Sequence, residues 1–397
     1  MQTLAEIRVC MDVGCHQHRV LIGLSNGEIL EEFNLPHTSS AIKQFFKKTD
    51  DYQSKYSAQV IFAMEGYNGH ARPIDKFALM RGYRLLNVNN NKLAKFKEIF
   101  PGPAKSDEID TRKIFELLTL QEHLPMAKKV LNEVTHVPEV NEKLKRLTRR
   151  RHALVHEKVR AANRLQSDLN AVAPALSTIT KDVCNVWFLN FITARSDLQK
   201  LSRLQLSSIL KIKGVGKKYA SQIIQWQKEA EFSPDLEWVN SMIISDAQRI
   251  IELKNEIQAL ESQLERLFEQ SDIAKRIKTI NGFGLICSAE LAGEIGSLDR
   301  FNSESSLSLY LGMTSLTNQS GQYSGTKKTR HINTNCKKAM MIAVARHIDN
   351  VAESKAYYNK KRTEGKKHNQ AVRALGRHLV RVIWSMIKKE RDYQIRK

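Results

Sequence analysis

Four acids, Asp12, Glu65, Asp107 and Asp110, carry the chemistry most visible in the sequence. Asp12 lies in the apolar run IRVCMDV, and Glu65 follows the run AQVIFAM. Asp107 and Asp110 stand three apart in KSDEID, a spacing that puts both on one face of a helix. Strand ends in an α/β sheet converge on one rim, which gathers acids that are distant in the chain. Carboxylates crowded in this way repel unless a cation sits among them. Hard oxygen ligands of this number suit Mg²⁺ or Mn²⁺. Such an ion orients phosphate oxygens and lowers the pKa of a bound water or hydroxyl. Acids at SDEID also suit a helix N-terminus, as caps and as partners of the macrodipole. The metal reading therefore rests on the whole order: strand-end Asp, strand-end Glu, then an i,i+3 Asp pair. Glu108 falls off the Asp107/Asp110 face and reads as solvated.

The elements that must position these acids are legible around them. Residues 7–13, 19–24 and 29–34 read as strands, the last two joined through the turn SNGE. Residues 58–64 form a further apolar run of strand length. A helix near 71–81, the strand YRLLNV at 83–88 and a helix starting around Asp107 follow. Three hairpin-linked strands and then strands alternating with helices make a mixed α/β pattern of about 120 residues. That pattern suits a ribonuclease-H-like core.

From about residue 139 the pattern becomes helical, with no Gly or Pro for more than 30 residues. Leu144, Leu147, Leu154, Val155, Val159, Ala162, Leu165 and Leu169 form an interrupted helical stripe. A second helix is expected at 246–270, with SDAQ at 245–248 as its capping box. Its apolar residues Ile250, Leu253, Ile257, Leu260, Leu264 and Leu267 step 3-4-3-4-3, a coiled-coil seam. The two helices read as a protruding arm or an oligomer contact, or else as an antiparallel hairpin within the chain. Residues 275–345 read as a small α-rich domain and 346–397 as basic helices.

The chain has 63 Lys and Arg against 42 Asp and Glu, a net charge of +21. Over 326–397 there are 20 Lys and Arg against 5 Asp and Glu, so this segment holds most of the excess. Such a balance points to a polyanionic partner, most simply nucleic acid. The basic residues are spread over several segments, which disfavours an anionic membrane surface. No apolar run is long enough to span a bilayer, and no signal-peptide pattern opens the chain. The five cysteines are scattered without zinc-knuckle or disulfide spacing, which suits a cytoplasmic protein. RLTRRRH at 146–152 offers Arg146, Arg149, Arg150 and Arg151 as phosphate contacts. KGVGKK (213–218) and NGFGL (281–285) are Gly-x-Gly turns before predicted helices, similar to helix–hairpin–helix elements. Lys213, Lys217 and Lys218 make the first the better phosphate candidate. His16 and His18 read as the start of a hairpin rather than as ligands. Tyr357 and Tyr358 suit either base stacking or helix packing.

Together, CMDVGCHQHRV, AMEGYNG and KSDEIDTRKI resemble the DEDD motif of the insertion-sequence 110 family of transposases. That family includes the pilin-gene inverting recombinase and enzymes guided by a bridge RNA. The likeness continues in LKRLTRRRHALVHEKVRAANRL, in IKTINGFGLICSAELAGEIGSLDRFNSESSLSLYLGM and in AYYNKKRTEGKKHNQAVRAL. Residues 171–270 match least. The resemblance implies a RuvC-like domain binding Mg²⁺ through Asp12, Glu65, Asp107 and Asp110. It also implies a C-terminal transposase domain whose Ser-Gly motif falls on NQSGQYSG, making Ser320 the nucleophile, with Ser324 as the second Ser-Gly. Gly312-Met313-Thr314-Ser315 departs from the family's Gly-Leu-Val-Pro, and Cys336-Lys337 stands where a Gly-Asn is usual.

A serine hydroxyl needs a base or metal to become a nucleophile. The sequence neighbours of Ser320 are Lys327, Lys328, Arg330 and His331, which suit transition-state charge rather than proton removal. The activating acids are then expected from the DEDD set, of the same or another protomer. Lys327, Lys328, Arg330, Lys337 and Lys338 are expected to contact DNA.

The expected architecture is 1–125, a RuvC-like metal-binding domain; 126–270, basic helices and a coiled-coil arm; and 271–397, an α-helical serine-bearing domain. The expected function is a DNA transposase or recombinase acting on double-stranded donor and target DNA. A noncoding bridge RNA and a dimeric or tetrameric assembly are expected as partners, with no membrane. A metal-dependent junction-resolving or RNA-guided nuclease is the rival enzyme. A non-catalytic nucleic-acid-binding scaffold is the third reading.

Overall fold

The computed structural model describes residues 6–65, 71–98, 107–123, 131–320, 323–327 and 332–394. The chain divides into two compact units, Met1–His136 and Val137–Lys397.

The first unit opens on three antiparallel strands, β1 (Glu6–Val13), β2 (Gln17–Leu24) and β3 (Ile29–Pro36). Helix α1 (Ser39–Tyr56) follows, capped by the Thr38 hydroxyl, which accepts from the Ala41 amide. β4 (Gln59–Glu65) then returns parallel to β1. After α2 (Arg72–Met80), β5 (Arg84–Val88) lies parallel to β4. Helices α3 (Asn90–Lys97) and α4 (Asp107–His123) precede a short antiparallel edge strand, β6 (Leu131–Glu133). The sheet order is β3-β2-β1-β4-β5-β6.

Strand alternation sorts the core into two layers. Ile7, Val9, Met11 and Phe62 pack with Phe45 and Phe46 of α1 and Ile74 of α2. Cys10, Ile61, Ala63 and Leu86 face the other way, against Ile114, Phe115 and Leu118 of α4. The three hairpin-linked strands and the following alternation were legible. Helices α1 and α3 and strand β6 were not.

The second unit is built on two long helices, α5 (Glu139–Val172) and α11 (Leu236–Phe268). Between them lie α6 (Pro174–Thr178), α7 (Val186–Ile192), α8 (Leu198–Leu201), α9 (Leu206–Ile209) and α10 (Lys217–Lys228). Helices α12 (Asp272–Lys278), α13 (Leu285–Ile295) and α14 (Glu304–Tyr310) lead to a hairpin of β7 (Leu316–Ser320) and β8 (Tyr323–Lys327). Helices α15 (Thr334–Asn350), α16 (Ala352–Thr363) and α17 (His368–Lys388) complete it.

Helices α5 and α11 pair antiparallel, as a ladder of ion pairs records. Arg164 meets Asp246 at 2.5 Å, Glu157 meets Arg249 at 2.8 Å and Arg151 meets Glu261 at 2.6 Å. Such half-exposed pairs set register more than stability. The stability lies in the seam, where Leu253 and Ile257 bury against Leu154, and Leu264 packs with Leu144. The expected apolar seam of 250–267 is thus covered by α5 of the same chain, and the antiparallel alternative holds. Ser245–Gln248 is not a helix start. Leu236, Ile243 and Ala247 extend the buried face two turns and more upstream, and their packing overrides the local capping signal. Val159, expected in the stripe of α5, is exposed instead.

Glu294 of α13 is the polar hub of this unit, with a side chain 0% exposed. The Arg149 guanidinium grips it at 2.6 and 2.9 Å, the Asn333 amide donates at 2.8 Å, and Lys145 stands 3.9 Å away. Asn333 also donates to the Tyr310 hydroxyl, and its own Oδ1 caps α15. Tyr310, whose hydroxyl donates to the Glu294 backbone oxygen at 3.1 Å, precedes the β7–β8 hairpin and Asn333 follows it, so one residue ties down both approaches to the hairpin. Burial alone would raise the Glu294 pKa, but Arg149, Lys145 and Asn333 together hold it below the ordinary carboxyl value.

Two outcomes follow. Leu253→Ala lowers unfolding stability by about 2–5 kcal/mol, measured by denaturant titration, while the oligomeric mass stays parental. A fall in mass without a fall in stability would put the seam between chains. Glu294→Gln costs about 1–3 kcal/mol at neutral pH. Because the folded-state pKa of Glu294 is depressed, its contribution is present above the ordinary carboxyl range and is lost as pH falls through the folded value. The gap between parent and variant therefore narrows in acid; a gap independent of pH would contradict the charged pairing.

Candidate acidic site and nucleic-acid interface

The parallel pairing of β1 and β4 sets Asp12 directly beside Glu65, at the C-terminal ends of both strands. Alternation puts Asp12 on the face of Cys10, and Glu65 on the face of Ile61 and Ala63. That is the face α4 covers. Asp110 lies in the first turns of α4, one turn before the buried Ile114, and is itself 6% exposed. Glu65 is 9% exposed and Asp12 half-buried. The fold thus brings three of the four acids to one face of the sheet at one rim. Asp107 begins α4, but its side chain lies outside the described residues. Among the described residues, no three acids, histidines or cysteines converge closely enough to hold an ion.

The donor chemistry suits a hard divalent cation. The acids offer only carboxylate oxygens. Cys10 shares their face, but burial pushes its thiol far above the ordinary range, so it stays protonated.

Sequence reasoning missed what holds α4 over that rim. Glu32 on β3 accepts from Arg112 of α4 at 2.7 and 3.1 Å and from Arg19 of β2 at 3.2 Å. The Arg112 hydrogen bonds, with both positive charges, hold the Glu32 carboxyl below its ordinary value. Arg112 is two residues beyond Asp110, so this tie fixes the first turns of α4 on the sheet. The only signal available was an unpatterned Glu-Glu on a strand. His18, for its part, is buried in β2 against His37.

Ser320 ends β7 and pairs in register with Tyr323, while Ser324 pairs with Gln319. Both candidate serines therefore occupy successive rungs near the turn of one hairpin. The side chains of Ser320, Ser324 and Lys327, and all of Lys328, Arg330 and His331, lie outside the described residues. Lys337 and Lys338 lie in the first two turns of α15.

The other expected phosphate contacts separate by partner. Arg149 is committed to Glu294 and Arg151 to Glu261. Arg146 is exposed, and Arg150 comes only to 4.0 Å from Glu256. Lys213, Lys217 and Lys218 are exposed, the last two in the first turn of α10, where no acid sits. The second Gly-x-Gly differs. A Cβ at Gly282 would meet the His347 backbone nitrogen at 2.4 Å, so that turn serves packing on α15.

Comparison with known proteins agrees with this layout. Residues 9–174 match a family model of IS110 DEDD transposases, and residues 274–359 match that of the transposase IS116/IS110/IS902 family. The chain is 22% identical over 396 residues to the insertion element IS110 uncharacterized 43.6 kDa protein of Streptomyces coelicolor, covering 97% of this chain and 95% of that one. It is 24% identical to the insertion element IS900 uncharacterized 42 kDa protein of Mycobacterium paratuberculosis, with 84% of each covered. With an acidic rim inside the first match and the chain leading into the serine hairpin inside the second, the protein belongs to the IS110 family of transposases.

Proposed function

We propose that the protein cuts and exchanges DNA strands through Ser320, aided by a divalent ion held by Asp12, Glu65, Asp107 and Asp110. The observation that carries the reading is the pairing of Asp12 with Glu65 on adjacent parallel strands, beneath the helix that bears Asp110. Two carboxylates at neighbouring register positions repel, an arrangement with a purpose if a cation joins them. The strand order, with three antiparallel strands followed by two parallel ones, supports a ribonuclease-H-like, RuvC-like reading of the first unit. A functional division into 1–125, 126–270 and 271–397 belongs to the same proposal.

The bound Mg²⁺ or Mn²⁺ would supply charge for phosphate oxygens and lower the pKa of a coordinated hydroxyl. The chain's own groups do the rest. Asp12, Glu65 and Asp110 are held by sheet register and by the Glu32–Arg112 tie, so their oxygens need little reordering on binding. The Ser320 oxygen bonds to phosphorus as the bond to the leaving strand's oxygen breaks, its own proton departing to a base and the leaving oxygen gaining one. The phosphoserine ester keeps the phosphodiester's energy, so rejoining needs no nucleotide cofactor. The exposed cations Arg146, Arg150, Lys213, Lys217, Lys218 and Lys338 and the half-buried Lys337, with Lys327, Lys328 and Arg330, suit donor and target DNA and a guiding noncoding bridge RNA. An assembly of two or four chains would bring donor and target together.

Asp12→Asn lowers strand cleavage by about 100-fold or more while salt-dependent DNA binding stays near parental, measured on labelled duplexes. Full recombination by this variant would remove the metal assignment. Ser320→Ala binds DNA yet yields no protein–DNA adduct on denaturing gels. Normal cleavage by Ser320→Ala would favour the metal-nuclease reading, and loss of the adduct only in Ser324→Ala would move the nucleophile to the second Ser-Gly.

A further inference from the structure

Helices α16 and α17 line, with residues 313–315, an open cavity of about 650 Å³ whose basic residues are outside the expected phosphate contacts. Its wall carries Lys366, Arg373, Arg377 and Arg381, with Tyr357, His378 and Gln370 beside them. The three arginines stand at i, i+4 and i+8 on α17, so they rise along one face in steps of about 6 Å. The opposite face of α17 is core, with Val372, Leu375, Leu379 and Ile383 buried. Like charges at this spacing destabilise a helix rather than support it. Among the described residues one carboxylate answers them: Glu304 pairs with Arg377 and lies 3.9 Å from Arg381. Arg373 reaches only the backbone oxygen of Asn369, at 3.2 Å. Burial, together with Arg381, Arg377 and Lys361, holds the His378 imidazole below its ordinary pKa, and it pairs uncharged with the Tyr357 hydroxyl at 3.1 Å.

We infer that this cavity is a binding site for a single nucleic-acid strand. Phosphodiesters lie along α17 at Arg373 and Arg381, on either side of the Glu304-paired Arg377, and an unstacked base enters against Tyr357 and His378. A row of cations beside aromatic rings is the chemistry of single-strand recognition. A concave wall takes an extruded base, whereas a duplex offers it only a convex surface. Position agrees as well. Met313 is seated against Gly376, where a Cβ would meet its sulfur at 2.5 Å, and Ser315 lines the cavity one residue before β7. Five strand residues rise roughly 17 Å, so a strand held here runs within a few nucleotides of the hairpin's turn. The inference rests on the reading of the protein as one that handles nucleic-acid strands, but not on Ser320 as nucleophile.

The test is fluorescence anisotropy of the full-length chain, without divalent metal, on a labelled single-stranded DNA, the RNA of the same sequence and the corresponding DNA duplex, over a salt series. Arg373→Gln is expected to weaken single-strand binding about 5–10-fold and to reduce the salt slope by about 0.7. Tyr357→Leu is expected to weaken it about 10-fold, with Tyr357→Phe retaining most of the affinity and duplex binding little changed. Equal losses on DNA and RNA mark recognition of the shared backbone and base face. A loss on RNA alone marks a guide strand, and a loss on DNA alone marks a substrate strand. Parental affinity of both Arg373→Gln and Tyr357→Leu for single strands would overturn the site while leaving the proposed strand chemistry intact. An equal loss on the duplex from Arg373→Gln, with Tyr357→Leu unchanged, would reduce it to general surface charge and overturn it too. A parent chain that binds none of the three nucleic acids would overturn both readings.

Discussion

The parallel register of β1 on β4 is the constraint on which the acidic rim of the first unit depends. It sets Asp12 against Glu65, and the two-residue alternation of the strands turns both toward the face that α4 covers. Everything else there maintains that juxtaposition. Phe45, Phe46 and Phe62 fill the opposite face and keep the sheet rigid behind the acids. Glu32 binds Arg19 and Arg112, locking the start of α4 over the rim. Glu65 and Asp110 are both buried at that rim.

The second unit solves a different problem, that of holding a polar hairpin in place. The strands LTNQS and YSGTK offer only Leu316 and Tyr323 as large apolar residues, so their position depends on what flanks them. The Glu294 backbone oxygen accepts from the Tyr310 hydroxyl before the hairpin, its carboxylate accepts from Asn333 after it, and Arg149 fastens that carboxylate to α5. A basic residue on a long helix thereby serves the hairpin's position. The paired helices α5 and α11 bury their own seam, which leaves the surface of this unit free to carry its positive charge outward.

How much the sequence revealed depended on the range of the interactions involved. The strands around Asp12 and Glu65 were legible because apolar runs of strand length end at those acids. Helix α4 was legible because KSDEID begins it. Edge strand β6 has three residues and no pattern, and hairpin β7–β8 is mostly polar, so neither leaves a periodic trace. The start of α11 was placed a full ten residues late because SDAQ is a good local cap, whereas Leu236 and Ile243 are buried by partners far away in sequence. The Arg149–Glu294 and Arg112–Glu32 ties join residues 145 and 80 apart. No spacing rule reaches that distance. The strands and the helix that carry the acids could be read; the ion pairs that hold them could not.

The central claim is that these acids share one divalent ion, and Mn²⁺ titration of the full-length chain followed by electron paramagnetic resonance tests it most directly. The account predicts about one tightly held Mn²⁺ per chain, displaced by Mg²⁺, and its loss in both Asp12→Asn and Glu65→Gln while thermal stability is kept. Parental Mn²⁺ binding in those two folded variants, or none in the parent chain with substrate DNA present, would contradict it.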